Sequence, residues 1–251
     1  MATAADEKPK SEGFQGGQDI SQQFTGGGHV ATFSEQPAFP DFHRKFADPS
    51  AFAWLALGVT FSLYGVNLLG ARGLDIPESS VAGALCLGSI TLTIAVILEF
   101  ISGRTFPATL FGVYAGFFMG YSIMAVGWFG LTGTYDGQMP NPYSAMLSDQ
   151  LASAQGLWIS TFVIINFLLL IVATRQSAFL LAFLTSVEVF FILLMVDYFR
   201  DPLDRSSPLS QATGAFGIIT GIIAWYLGLT SMLTKDSSYF TLPTVPLVKE
   251  D

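Results

Sequence analysis

Two acids stand where an apolar sequence has few charges. Glu99 is the second residue of the stretch LEFISGRTFPATLFGVYAG (98–116), followed by Arg104 and Pro107, and Glu188 lies inside LTSVEVFFILL with no other charge around it. A carboxylate and a guanidinium this close can form an interfacial ion pair, with the arginine stem lying along apolar surface and its head in the polar layer. Glu188 poses a harder question, because a charge at the centre of a membrane span costs about 2.5–3.5 kcal/mol or more. One reading is a carboxylate that faces a pore and exchanges a proton; the other is a protonated packing residue bonded to Thr185 one turn away. Asp48, directly before Pro49, suits a helix cap better than a ligand for an anion. Asn67 and Asn166 are uncharged polar groups that can bond helix to helix or orient a carboxyl group.

The elements that position these residues follow from composition. The 251 residues are 51% hydrophobic and 12% charged, against roughly 25% charged in ordinary water-exposed domains, and mean hydropathy is +0.52. A spanning helix needs about 20 mostly apolar residues. Such runs lie near 50–70, 80–101, 106–130, 154–174, 177–198 and 211–233. The expected fold is an all-α integral membrane protein, six transmembrane helices in a compact bundle with a central pore. Asp48-Pro49 starts the first span, Asp75-Ile76-Pro77-Glu78 separates the first two, Arg175 divides the fourth from the fifth, and Asp201-Pro202 opens the last connection. Residues 1–46, rich in Gly, Gln and Ser, read as a disordered tail, residues 47–234 as the six-helix domain, and 235–251 as a short second tail.

Positive charge sets orientation. With the N-terminus in the cytoplasm, that side carries Arg44, Lys45, Arg104, Arg175 and Lys235, against Arg72, Arg200 and Arg205 outside, and the loop 131–153 without Lys or Arg lies outside. Both termini are therefore expected in the cytoplasm. Gly112, Gly116 and Gly120, and likewise Gly214, Gly217, Gly221 and Gly228, have the small-residue spacing that lets helices approach closely, within one bundle or between subunits.

Several function classes drop out. No lysine falls inside a span, so a retinal Schiff base is excluded, and His29 and His43 both precede the first helix, against a paired-histidine channel. No ligand cluster suggests a metal or cofactor, no nucleophile-and-base arrangement suggests an enzyme, and the net charge of -8 offers nothing to nucleic acid. Cys86 is alone, so there is no internal disulfide.

LEFISGRTFPATLFGVYAGFF resembles the signature of the acetate uptake transporter family, also called succinate-acetate permeases, with Glu99, Phe100, Gly103, Thr105, Phe106, Thr109, Phe111, Tyr114 and Phe117 in matching places. ADPSAFAWLALGVT resembles the family's first-helix opening through Pro49, Gly58 and Thr60. The resemblance implies a protomer with a narrow pore of its own, a homo-oligomeric ring of six, a eukaryotic plasma membrane, and proton-linked passage of acetate or a related short monocarboxylic acid. Carried across by position, Leu57 and Tyr114 line constrictions, and Thr105, Phe106 and Thr109 shape a vestibule beside the signature turn of Glu99, Gly103 and Arg104. The chain departs from the family at Asp48 and Arg104, each an asparagine there, at Pro107, a glycine there, and at Leu92, often a glutamine. A pore narrowed by Leu and Tyr favours an uncharged solute, since a bare carboxylate loses its hydration without an equivalent ligand. Leu92 and Gly65, where transporters often keep polar groups, leave open a non-transporting sensor or structural subunit, and ammonia or amine export is a further alternative.

Overall fold

Asp48 opens the first helix: its Oδ1 accepts the Ser50 backbone N–H at 3.0 Å, and Pro49 takes the first helical position, where its missing N–H costs nothing. The structure is a computed structural model that describes residues 47–73, 78–126, 149–200, 206–233 and 238–247. The expected N-terminal tail, the Asp75–Pro77 turn, loop residues 131–148 and the Asp201-Pro202 connection lie outside the described residues, as do Arg44, Lys45, Arg205 and Lys235.

Among the described residues, six helices are long and apolar enough to cross a membrane. They are α1 (Pro49–Leu68), α2 (Ser79–Ile101), α3 (Thr105–Ala125), α4 (Asp149–Ala173), α5 (Ala178–Arg200) and α6 (Pro208–Met232). α4 and α6 begin five and three residues before the apolar runs expected at 154 and 211. Ser207 caps α6 through its Oγ, which accepts the Leu209 N–H at 3.2 Å, with Pro208 at the first position. This is the Asp48-Pro49 device repeated, hidden from hydropathy by the polar residues Ser210 and Gln211.

The helices divide by how much they bury. α1 buries 61% and α3 56% of their central windows, whereas α2 and α4 bury 33% each and turn Ile90, Ile94, Ile97, Ile164, Phe167 and Leu168 outward. In water such exposure is unfavourable; in a bilayer it is the expected lipid-facing surface. α1 packs along α6, α5 lies between α4 and α6, and α2 lies between α1 and α3. The ring closes between α3 and α4 through Phe117 and Phe162, whose centroids are 5.0 Å apart.

The α1–α6 seam is made by glycine. A Cβ on Gly65 would stand 2.5 Å from Gly214 O, and one on Gly217 would stand 3.0 Å from Gly65 Cα, so the two backbones touch. α2 is interrupted by a π-helical stretch, Ala84–Thr91, where the ladder loosens and Gly88 lies against the Phe118 ring.

After α6, residues 238–247 dock back on the bundle. Tyr226 Oη donates to Pro243 O at 2.8 Å, Ala178 N–H to Val245 O at 3.0 Å, and Leu247 N–H to Gln176 O at 3.0 Å. Part of the expected second tail is thus strapped across the α4–α5 turn.

Asp48→Ala is expected to destabilise the solubilised protein by about 1 kcal/mol, the usual worth of a cap. Asp48→Asn keeps the acceptor oxygen and is expected to lose less in the same thermal melt. Equal losses would mean that the charge at Asp48, not its cap, carries the effect.

Candidate functional site

The signature turn is built by a helix ending. At the end of α2, Gly103 takes φ 72°, its N–H bonds Phe100 O at 3.0 Å, and the Arg104 N–H bonds Glu99 O at 3.0 Å. This pair of reversed bonds is a Schellman ending, which glycine adopts without a Cβ penalty and which brings the side chains of Glu99 and Arg104 together. Arg104 Nη2 donates to Asp48 Oδ1 at 2.6 Å, and its Nε stands 2.7 Å from Glu99 Oε2. The second contact is an ion pair by distance, without hydrogen-bond alignment. Ser50 Oγ donates to Glu99 Oε1 at 2.6 Å. Glu99 is fully buried, so the arginine and the serine replace the water it has lost. For Arg104, burial opposes the charge, but the hydrogen bond and attraction of Asp48, followed by the attraction of Glu99, outweigh it and hold its pKa above the ordinary arginine value.

Beside this turn a cavity of about 160 Å³ is lined by Ser50, Trp54, Phe106, Pro107, Leu110, Gln176, Ser177, Leu180 and Leu227. Of the three residues expected to shape a vestibule, Phe106 lines this cavity. Thr105 and Thr109 do not: four residues apart on α3, they share an exposed face, and Thr109 Oγ1 donates to Thr105 O at 2.9 Å.

From the cavity inward, the axis is closed by aromatic side chains. Trp54, Leu57, Phe61 and Tyr64 follow each other on the inner face of α1 at helical spacing, all buried. Trp54 meets Phe111 and Phe183 edge-on at 5.0 and 4.9 Å. Phe61 is the hub, in edge contact with Tyr114 at 6.1 Å, Phe118 at 5.4 Å, Phe183 at 6.1 Å and Phe190 at 5.5 Å. Leu57 and Tyr114 are both fully buried in this core. Beyond it lies a layer of phenols, with Tyr64 and Tyr121 rings 5.1 Å apart and the Tyr64 and Tyr198 hydroxyls 3.4 Å apart.

Glu188 reaches the same core indirectly. Tyr114 Oη donates to Asn166 Oδ1 at 2.6 Å, and Asn166 Nδ2 donates to Glu188 Oε2 at 2.7 Å and to Leu184 O at 3.1 Å. Thr185 is not the partner of Glu188; its hydroxyl donates instead to Leu181 O at 2.8 Å within α5. Glu188 is only partly buried, on the α4 side of α5. Sequence reasoning left Asn166 between helix-to-helix bonding and orienting a carboxyl group, and it did not single out Phe61, Phe183 or Phe190. The inner-face spacing of Trp54, Leu57, Phe61 and Tyr64 is the signal that points to the first of these.

The side chains that meet Phe61 are uncharged, so this core offers dispersion and phenol oxygens, and no countercharge, to anything that passes it. The arrangement suits a small uncharged solute better than a bare ion.

Comparison with known proteins agrees with that architecture. The chain is 28% identical to acetate permease A of Emericella nidulans over 204 residues, covering 80% of this chain and 66% of that protein. It is 28% identical to meiotically up-regulated gene 86 protein of Schizosaccharomyces pombe, covering 81% of this chain and 66% of that one. It is 24% identical to ammonia transport outward protein 2 of Saccharomyces cerevisiae, covering 83% and 69%. The chain thus spans about two thirds of the length of these relatives. Among solved structures, the bacterial acetate channel SatP superposes with TM-score 0.65 at 22% identity, covering 80% of this chain and 99% of that one, which shows a shared fold. The model of the GPR1/FUN34/yaaH family matches residues 30–249, and the chain belongs to that family.

Proposed function

We propose that the protein carries acetate or a related short monocarboxylic acid across a membrane, linked to protons, along the axis of each protomer. The observation that carries this reading is the uncharged aromatic constriction around Phe61 and Tyr114, with a cavity of about 160 Å³ beside the signature turn. The relatives named as an acetate permease and an acetate channel support the choice of cargo. In this reading Leu57 and Tyr114 narrow the path, Phe106 borders its vestibule, and Glu188 exchanges the proton. The protein works as a homo-oligomer, a hexamer by family resemblance, in a plasma membrane with both termini in the cytoplasm.

A second reading, ammonia or amine export, is favoured by the relative named for outward ammonia transport. The two differ in sign. Vesicles containing the protein and an internal pH dye should acidify faster than protein-free vesicles when acetate is added, because the entering acid releases its proton inside. If only ammonium salts give a protein-dependent response, an alkaline one, the second reading replaces the first.

A further inference from the structure

Asn166 is 1% exposed in the middle of α4, and both ends of its amide are engaged. Leu184 O can only accept, so the nitrogen must face it and the oxygen must face Tyr114. The phenol then has to be the donor in the 2.6 Å bond. Tyr114 has one hydroxyl proton, and that proton is committed to Asn166. Any other partner of the phenol oxygen meets lone pairs.

We propose that Asn166 is a positioning residue that holds the Tyr114 hydroxyl proton on the α4 side, so that the constriction offers a passing solute an acceptor and admits the protonated acid in preference to its carboxylate. A protonated carboxylic acid can donate its O–H to that oxygen, whereas a carboxylate has no proton to donate and is repelled by the lone pairs. Glu188 anchors the amide from the far side through Nδ2. Around Tyr114, α1 supplies Phe61 and α5 supplies Phe183 and Phe191, all uncharged, and the titratable neighbour described is Glu188, bonded to the same amide.

The inference rests on the transport reading, and its test separates the two. Labelled-acetate uptake into proteoliposomes is measured at acidic and neutral external pH for the native protein, Tyr114→Phe, Asn166→Leu and the double variant. Native uptake should track the undissociated acid and not total acetate. Tyr114→Phe should raise the half-saturating concentration several-fold, up to about tenfold, the worth of one hydrogen bond. Asn166→Leu frees the phenol proton, so uptake should come to follow total acetate. In the Tyr114→Phe background the same change should have no further effect on that dependence.

Equal effects of Asn166→Leu in both backgrounds would overturn the proposal, since the asparagine would then act without the phenol. If Asn166→Leu yields no monodisperse protein, the near-isosteric Tyr114→Phe decides alone, and a native half-saturating concentration overturns the idea. Native protein no faster than empty vesicles would instead remove the transport reading itself.

Discussion

Gly65→Ala should abolish recovery of monodisperse protein. The added methyl would stand 2.5 Å from Gly214 O, 2.8 Å from Ile218 N and 3.1 Å from Gly217 C, and all three atoms are backbone. A flexible side chain could rotate away; a helix backbone can only move as a body. Separating α1 from α6 would also open the contacts at Gly217 and Gly221, whose nearest neighbours include the backbone of Gly65 and Gly58. Overpacking in a well-filled core costs about 1–3 kcal/mol and sometimes more, and here it falls on the seam that holds the inner helix in place. Gly116→Ala is the control, because nothing lies within 4 Å of its added methyl. It replaces glycine by a better helix former and should melt at or above the native temperature. Native behaviour of Gly65→Ala in size-exclusion and thermal melts would contradict the glycine seam.

The second large effect is expected at Arg104. Arg104→Gln leaves Glu99, fully buried, with Ser50 as its remaining partner. The expected loss is about 3 kcal/mol, the low end for breaking a buried pair, because the Arg104 side chain is itself 37% exposed and solvent screens part of its attraction. Glu99→Gln with Arg104→Gln removes both charges and should recover much of the loss. Read as a double-variant cycle, the coupling between the two sites is expected to be large and favourable. Additive losses would mean that Glu99 does not depend on Arg104.

These expectations differ in how far the sequence reveals them. The six spans were legible because an uninterrupted apolar run of membrane length has few other uses. Their ends were less so: α6 begins at a Ser207-Pro208 cap that hydropathy passes over. The regular spacing of Gly112, Gly116 and Gly120 suggested close packing, yet Gly112 would only touch Val96 at 3.8 Å, Gly116 faces open space, and Gly120 alone meets a close neighbour, Trp158. Spacing fixes which residues share a face and does not say what that face meets. The proximity of Glu99 and Arg104 could be read from the chain, but their conformation depends on the left-handed Gly103. Glu188 illustrates the same limit. One helical turn suggested Thr185, whereas the partner is Asn166, 22 positions away on the antiparallel neighbour. Contacts across helices come from the register between them, which no periodicity within one helix contains.

The central claim is that this protomer gives acetate a path across the membrane. Its most direct test is the initial rate of labelled-acetate uptake into vesicles containing the purified protein, measured against acetate concentration and compared with protein-free vesicles of the same lipid. A saturable component above the protein-free rate, reduced in Tyr114→Phe, is the predicted result. Uptake that rises linearly with concentration and matches the protein-free rate would contradict the claim.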